Sequence, residues 1–352
     1  MKPGPRYLIL AEGQFDPFTS KTANACIRYT PESVVAVIDS RHAGERVQDV
    51  LGFGGSIPVV ASLADGLAFA PSALLIGIAP QGGQFPEAWR GAIRDALGAG
   101  LDVWSGLHAF LGDDAELASL ATRNGATIHD LRKPPPDLPV ATGRAREVDA
   151  TVILTVGTDC NIGKMTAALQ VRNALRAAGH RVAFAGTGQT GILIEGWGIA
   201  VDAVVADFIA GAAERLVLQA AGNAEIVLVE GQGSIVHPGY SGVTYGLMHG
   251  SLPHAMVLCA QPTRTRVNSN DWVRIPPLPD LIRLHELALQ YLAPSPVIAI
   301  ALNTYDLDED DARRAIELCA ADTGLPATDP VRFDPAPVAD AILDFHARRA
   351  RS

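Results

Sequence analysis

The chain has 352 residues, of which 48% are hydrophobic and 19% are charged. This composition provides enough apolar side chains for buried cores and excludes an intrinsically disordered chain. With 28 lysines and arginines against 38 aspartates and glutamates, the formal net charge is −10. Such a charge disfavours nucleic acid and anionic membranes as partners, and the length predicts two domains.

The cysteines and the apolar runs predict the cellular compartment. Cys26, Cys160, Cys259 and Cys319 form no C-x-x-C pair and no disulfide framework. This spacing is typical of a reducing compartment, so we expect a cytoplasmic protein. The apolar run Tyr7–Ala11 is too short for a signal sequence, and no stretch approaches the ~20 apolar residues of a membrane span.

The first half alternates short apolar runs with amphipathic stretches, which predicts parallel strands joined by helices at Glu87–Leu97 and Asp114–Arg123. Because helices would cover both faces of such a sheet, residues 1–135 are predicted to form a Rossmann-like α/β domain. A glycine cluster, Gln81-Gly82-Gly83, is weak evidence for a ligand crevice. The predicted strands are Tyr7–Ala11, Val34–Ile38, Val59–Val60, Leu74–Ile78, Leu101–Trp104 and Ala126–His129.

A proline-rich segment, Pro134–Pro139, separates the halves, because its four prolines cannot continue a helix or a central strand. A second doubly wound parallel sheet is predicted over residues 140–352, with strands at Ala150–Val156, Arg181–Ala185, Ile226–Val229, Ala255–Cys259 and Val297–Leu302. Helices are predicted at Lys164–Ala178, Ala212–Ala221, Leu278–Leu292, Asp310–Ala321 and Val338–Ser352. Parallel sheets with apolar edges often associate, so we expect a homo-oligomer.

The segment Gly157–Thr166 follows a predicted strand and opens a predicted helix, which is the context of a phosphate-binding P-loop. Backbone N–H groups, the helix N-terminus and Lys164 would all face an anion. The pattern has one residue more between its glycines than G-x-x-x-x-G-K-[ST], and Met165 follows the lysine, so Thr166 would have to bind any Mg²⁺. The predicted cofactor-binding residues of the loop are Gly157, Thr158, Asp159, Cys160, Asn161, Ile162, Gly163, Lys164, Met165 and Thr166.

This long loop resembles that of the dethiobiotin synthetase branch of P-loop enzymes. The strand and turn Ile226–Ser234 strengthen the resemblance, since Glu230 ends a strand where that branch places an acidic residue facing metal and phosphates. The resemblance implies that Glu230 holds Mg²⁺ or acts as a base, and that Asn303 contacts an adenine ring. A carboxylate capping the next turn and a turn-forming asparagine are the alternatives.

Three further segments, Gly186–Ile192, Val201–Phe208 and His237–Thr244, together with the joint Asp130–Pro135, make the whole chain resemble one two-domain family. The family was long catalogued as a domain of unknown function, and some members are DgcN-type D-glutamate N-acetyltransferases. The resemblance implies transfer of the acetyl group of acetyl-CoA to the amine of D-glutamate, in D-amino-acid catabolism. An ATP- and Mg²⁺-dependent ligase, or a protein that only binds nucleotide, is the alternative.

Acetyl transfer to an amine requires a base for the ammonium proton and donors for the oxyanion. Glu230, His237 and Asp207 are the candidate bases, interpreted as residues at strand ends or in glycine-rich turns. A histidine packed beside Pro238, and an aspartate that caps a helix, remain open as alternatives.

The substrate expected from the resemblance is a small acidic amino acid, which requires polar groups and cations. Gln189, Thr190 and Gly191 lie in a predicted turn. The amide of Gln189 and the hydroxyl of Thr190 could bind a phosphate or a carboxylate. Arg264 and Arg266 follow a predicted strand, and arginine forks match carboxylates well. Turn chemistry for the first group and surface ion pairs for the arginines are the alternatives.

Overall fold

The computed structural model describes residues 4–78 and 87–351, so the Gln81-Gly82-Gly83 cluster lies outside the described residues. The chain divides into two compact units. The first unit comprises Met1–Lys133 and Ile192–Gly196, and the second comprises Pro134–Gly191 and Trp197–Ser352. The chain passes from the first unit to the second at the start of the proline-rich segment.

In the first unit, six of the described segments form a parallel sheet: β1 (Tyr7–Leu10), β2 (Val34–Ile38), β3 (Val59–Val60), β4 (Ala73–Ile76), β5 (Asp102–Ser105) and β6 (Ile128–Asp130). Their order, β3-β2-β1-β4-β5-β6, is that of a Rossmann sheet. The central strands β1 and β4 are apolar and wholly buried, as expected when helices cover both faces. The helices are α1 (Lys21–Tyr29), α2 (Val47–Leu51), α3 (Leu63–Gly66), α4 (Arg90–Gly98) and α5 (Ala115–Asn124).

The second unit also contains a parallel sheet, in the order β14-β13-β10-β7-β9-β8, and a separate antiparallel hairpin, β11–β12. The strands are β7 (Thr151–Gly157), β8 (Val182–Ala185), β9 (Ile226–Val229), β10 (Ala255–Ala260), β11 (Arg266–Val267), β12 (Asn270–Arg274), β13 (Val297–Leu302) and β14 (Ala327–Thr328). Since β7 pairs with both β9 and β10, its carboxyl end lies in the middle of the sheet edge where ligands of such folds bind.

The helices of the second unit are α6 (Lys164–Ala177), α7 (Gln189–Glu195), α8 (Ala206–Ala221), α9 (Ser241–Ser251), α10 (Leu278–Leu289), α11 (Glu309–Thr323) and α12 (Ala336–Arg349). Helix α7 begins in the second unit, but its residues from Ile192 onward are assigned to the first unit. Helix α8 begins six residues before the predicted start, and α10 ends three residues before the predicted end. No helix in the described part of the chain is both long and apolar enough to cross a membrane.

Helix α9 was not predicted, and its three glycines in eleven residues are unfavourable for a helix. The structure shows why two of these glycines are there. A Cβ on Gly246 would lie 2.4 Å from Cγ2 of Ile209, and one on Gly250 would lie 2.0 Å from the carbonyl oxygen of Ala210. Close packing of α9 on α8 therefore requires glycine, and burial offsets its poor helix propensity.

The segment after the proline-rich joint is fixed to α8 by a buried carboxylate. Glu214 accepts hydrogen bonds from the backbone N–H groups of Thr142 at 2.6 Å and Gly143 at 2.9 Å, and from the Thr142 hydroxyl at 2.6 Å. Burial favours the neutral form of Glu214, but these hydrogen bonds outweigh it and keep its pKa below the ordinary value. The joint thus enters the second unit in a defined position.

Candidate functional site

The loop between β7 and α6 has the strand–loop–helix arrangement predicted for phosphate binding. Gly163 has a φ of +101°, which an L side chain rarely adopts, and α6 begins at the next residue. A Cβ on Gly157 would lie 2.8 Å from Cδ1 of Ile162 and 3.0 Å from Cδ of Lys164. The loop therefore folds back over the lysine stem, and both glycines are required by its shape.

Lys164 is the buried cation of this loop, with a relative exposure of 6%. Its Nζ donates a hydrogen bond to the carbonyl oxygen of Asp159 at 2.7 Å. Burial lowers the pKa of Lys164, while nearby Cys160, Cys259, Asp159 and Glu230 oppose that shift. No ion pair joins Lys164 to a carboxylate within the described ranges, so a bound anion would compensate its buried charge.

Asp159 holds the loop in shape and is fully buried. Its Oδ1 accepts the N–H of Cys160 at 2.7 Å, and its Oδ2 accepts the N–H of Asn268 at 2.8 Å. Arg264 also donates to Oδ2, at 3.0 Å, and to the carbonyl oxygen of Cys160, at 2.8 Å. In this structure Arg264 braces the phosphate loop, and its predicted contact with substrate stays a prediction.

Glu230 directly follows β9 and is only 3% exposed. Its Oε2 accepts the N–H groups of Thr187 at 2.9 Å and Gly188 at 3.1 Å. Burial raises its pKa to about 7, although these two hydrogen bonds oppose the shift. A carboxylate that titrates near neutrality can take up a proton from a substrate at working pH.

Gly191, which was predicted from sequence to bind substrate, lies beside this carboxylate and has a steric role. A Cβ on Gly191 would lie 2.2 Å from Oε2 of Glu230, so no larger residue fits there. Gln189 and Thr190 form the start of α7 immediately before it; Gln189 is half-buried and Thr190 is buried. The turn Gly186–Gly191 and the end of β9 thus meet around one carboxyl group.

His237 is 3% exposed and has a fixed tautomer in its neutral form. Its Nδ1 accepts the N–H of Gly239 at 3.0 Å, so the proton of the neutral ring lies on Nε2. The ring also packs against Tyr240, with centroids 4.5 Å apart. Neutral His237 therefore offers a hydrogen-bond donor through Nε2, which suits an oxyanion better than it suits the base role predicted for this residue.

Asp159, Cys160 and His237 each have a possible metal-ligand atom within 4.8 Å of the others. The set does not fit Mg²⁺, which prefers several oxygen ligands, because the one carboxylate already accepts three hydrogen bonds, one of them from Arg264. A metal on Nε2 of His237 would also displace the proton that Gly239 fixes there. We therefore derive no chemical step through a metal at this cluster.

Several contacts bring the predicted residues to one sheet edge. The Ser234 hydroxyl donates to the carbonyl oxygen of Thr158 at 3.0 Å, which ties the turn after β9 to the phosphate loop. Asn303 follows β13, and its Nδ2 lies 3.8 Å from the position of a Cβ on Gly163. The residues predicted from sequence that share this edge are Gly157–Thr166, Gln189–Gly191, Glu230, His237, Arg264 and Asn303.

Asp207 does not share this arrangement. The prediction that it lies at a strand end or in a glycine-rich turn is wrong, because it lies exposed in the first turn of α8. A carboxylate there interacts favourably with the helix dipole, which explains an aspartate at this position without catalysis. Within the described ranges, no hydrogen bond or ion pair joins Asp207 to the phosphate loop, Glu230 or His237.

Three residues of the site were missed by sequence reasoning. Thr187 and Gly188 bind Glu230 through their backbone N–H groups, and Asn268 binds Asp159 in the same way. Backbone donors carry no side-chain signature, so only the glycine-rich character of Gly186–Gly191 could have indicated them. The hairpin that carries Asn268 and Arg266 was also not predicted.

Comparison with known proteins identifies the family. Residues 139–339 match the domain of unknown function DUF1611_C, described as a P-loop domain, and residues 40–134 match DUF1611_N, described as a Rossmann-like domain. The chain belongs to the DUF1611 family. A crystal structure of a DUF1611 family protein from Anabaena variabilis superposes with a TM-score of 0.93 at 41% identity, covering 97% of this chain and 100% of that one.

Two curated relatives in this family have a named activity. The chain is 39% identical over 282 residues to a D-glutamate N-acetyltransferase of Tritonibacter scottomollicae, covering 80% of this chain and 84% of the relative. It is 35% identical over 272 residues to a D-glutamate N-acetyltransferase of a Pseudoalteromonas species, covering 77% of this chain and 81% of the relative. The predicted family, its two α/β folds and the acyltransferase class are confirmed at this level.

Proposed function

We propose that this DUF1611 family member transfers the acetyl group of acetyl-CoA to the amine of D-glutamate. The observation that carries the proposal is one sheet edge that combines a phosphate loop around buried Lys164 with Glu230, whose pKa of about 7 suits a base. The names of two relatives at 39% and 35% identity give the substrate and the transferred group. Coenzyme A carries the phosphates that such a loop holds.

The proposed chemistry needs one proton acceptor and one oxyanion donor. Ionised Glu230 takes a proton from the ammonium group of D-glutamate, and the free amine attacks the thioester carbonyl carbon. The new C–N bond forms, the C–S bond breaks, and the coenzyme A sulfur leaves as a thiol with one of the two remaining amine protons, while the other stays on the amide nitrogen. Nε2–H of His237 supplies a donor to the developing oxyanion.

The roles of Gln189, Thr190, Arg264 and Arg266 toward the amino acid remain part of this proposal. The carboxylates of D-glutamate require cations or N–H donors, and both arginines belong to the segment that packs on the phosphate loop. The product, N-acetyl-D-glutamate, would then enter the breakdown of D-amino acids. A homo-oligomeric state and a cytoplasmic location stay predictions.

The direct test is thiol release without ATP. The purified protein is incubated with acetyl-CoA and one amino acid at a time: D-glutamate, L-glutamate, D-aspartate or D-glutamine. Free thiol is followed in each reaction with a chromogenic disulfide. We expect release that depends on the amino acid and is fastest with D-glutamate, together with N-acetyl-D-glutamate detected by mass spectrometry. Thiol release with no acetylated amino acid would indicate hydrolysis and contradict the proposal.

The same assay distinguishes the alternative of a ligase. A second reaction contains ATP, Mg²⁺ and D-glutamate but no acetyl-CoA, and ADP is measured. Formation of ADP with no thiol release in the first reaction would favour the ligase. Binding of either nucleotide without turnover of any substrate would favour a protein that only binds.

A further inference from the structure

The hairpin β11–β12 is attached to the phosphate loop at its turn. Asn268, in the two-residue connection of the hairpin, donates its N–H to buried Asp159 at 2.8 Å. Arg264, two residues before β11, bonds the same carboxylate at 3.0 Å. The turn of the hairpin is therefore held beside the phosphate loop.

Two arginines occupy opposite positions on this hairpin. Arg266 of β11 is paired with Arg274 of β12 in the antiparallel register, and both are exposed. Like charges directly opposite each other across an antiparallel pair are destabilising. Arg266 donates to the backbone carbonyl of Asp271, and neither arginine forms an ion pair with a carboxylate in the part of the chain that the structure describes. An anion between the two would remove the repulsion.

An unusually exposed aromatic ring lies on the same strand. Trp272 is 73% exposed, whereas tryptophan is among the most buried residues on average. It is two residues from Arg274, and both are exposed. An exposed aromatic ring on the strand that carries Arg274, which is paired with Arg266 on the neighbouring strand, provides a surface for stacking of a nucleobase and cations for a phosphate.

We propose that the hairpin β11–β12 binds the 3′-phosphoadenosine end of coenzyme A, with Arg266 and Arg274 on the 3′-phosphate and Trp272 stacked on the adenine. This inference rests on the proposed function and specifies its cofactor subsite. It assigns Arg266 to the cofactor, in place of the predicted contact with the substrate dicarboxylate. It also gives a reason for preferring coenzyme A over ATP, which has no 3′-phosphate.

Isothermal titration with coenzyme A and with dephospho-coenzyme A, which differ only in the 3′-phosphate, tests the inference on the full chain. We expect the wild type to bind coenzyme A at least about tenfold more tightly than dephospho-coenzyme A. Arg266→Gln and Arg274→Gln should each weaken coenzyme A binding several-fold and leave dephospho-coenzyme A unchanged. Trp272→Ala should weaken both ligands about tenfold. The controls are Arg283→Gln and Tyr291→Ala, exposed residues of the same unit.

Other outcomes separate the two proposals. Equal wild-type affinity for both ligands, or hairpin variants that bind both as the wild type does, would overturn the inference while acetyl transfer could still be measured. A raised KM for D-glutamate with unchanged coenzyme A affinity in Arg266→Gln and Arg274→Gln would also overturn it, because the arginines would then serve the amino acid. Failure of the wild type to bind either ligand would overturn the proposed function as well.

Discussion

Lys164 and Glu230 are two buried groups of opposite charge in one unit, and burial shifts the pKa of each toward its neutral form. Among the residues that the structure describes, neither is neutralised by a close ion pair: Lys164 donates to a carbonyl oxygen, and Glu230 accepts from two backbone N–H groups. Buried ionisable groups without a close partner of opposite charge are common at functional sites, because a bound ligand can supply the compensating charge. Three predictions follow from this at the scale of single residues.

Replacing Lys164 by alanine should weaken binding of coenzyme A by about 10- to 100-fold, since a charge-assisted hydrogen bond to phosphate is lost. Titration calorimetry measures the affinity directly. Lys133→Ala is the control, because Lys133 is an exposed lysine of the first unit that pairs with Asp113. Unchanged affinity in Lys164→Ala would show that the loop does not hold the phosphates.

Replacing Glu230 by glutamine should lower kcat by about 10²- to 10⁴-fold, because the base is removed while its shape is kept. In the wild type, kcat/KM should rise with pH through about 7, the pKa at which Glu230 becomes ionised. Stopped assays between pH 5.5 and 8.5 measure both effects. A glutamine variant with wild-type kcat would assign the base to another residue.

The same carboxyl group should make the protein less stable as pH rises. Its folded pKa of about 7 lies above the ordinary 4.5, so between these values the folded state binds more protons than the unfolded state. The free energy of unfolding therefore falls with rising pH across this window, by up to about 3 kcal/mol. Urea unfolding at pH 5 and pH 8 measures the change, and Glu230→Gln should lack this part of it.

At the scale of elements, the end of β9 lies unusually close to β7. A Cβ on Gly231 would lie 1.7 Å from the carbonyl oxygen of Thr155, and the N–H of Gly231 binds the Thr155 hydroxyl at 2.9 Å. This approach holds Glu230 beside the phosphate loop, because Gly231 is the next residue in the chain. Contacts of the Gly231 backbone with Thr155 therefore position Glu230 relative to the phosphate loop.

Gly231→Ala should cost about 3 kcal/mol or more of stability, since either the strand end or Thr155 must move. Gly242→Ala is the matched control, because Gly242 lies in α9 with nothing within 4 Å of the added Cβ. That change should be neutral or stabilise by about 1 kcal/mol through helix propensity. Thermal unfolding of both variants measures the difference, and similar melting temperatures would contradict the close approach.

Helix α9 and the hairpin show which elements could not be predicted from local patterns. The glycines of α9 indicate a loop by propensity, but Gly246 and Gly250 are needed where α8 packs against it. Strands β11 and β12 are short and largely exposed, so they lack the apolar run that identified the parallel strands. Long buried strands such as β7 and β10, in contrast, were predicted to within one or two residues.

At the scale of the whole molecule, the site residues named above all belong to the second unit. The net charge of −10 opposes anionic ligands at long range, so they must be held by local groups such as Lys164 and the loop N–H donors. Binding to the folded state alone must stabilise that state by mass action.

Coenzyme A at 100 times its dissociation constant should therefore raise the free energy of unfolding by about 2.7 kcal/mol. Urea unfolding with and without the ligand measures the change. Lys164→Ala at the same ligand concentration should gain much less, and Lys133→Ala should gain as much as the wild type. An equal gain in Lys164→Ala would place the ligand away from the phosphate loop.

The sequence by itself determined the two α/β halves, the proline-rich joint between them, and the strand, loop and helix around Lys164, because apolar periodicity and glycine spacing are local properties. Tertiary structure alone decided the state of the functional groups. Burial gives Glu230 its pKa, Gly239 fixes the tautomer of His237, and Arg264 is engaged by Asp159. Each depends on residues brought together by folding, and the same holds for Asp207, which the start of α8 places on the surface.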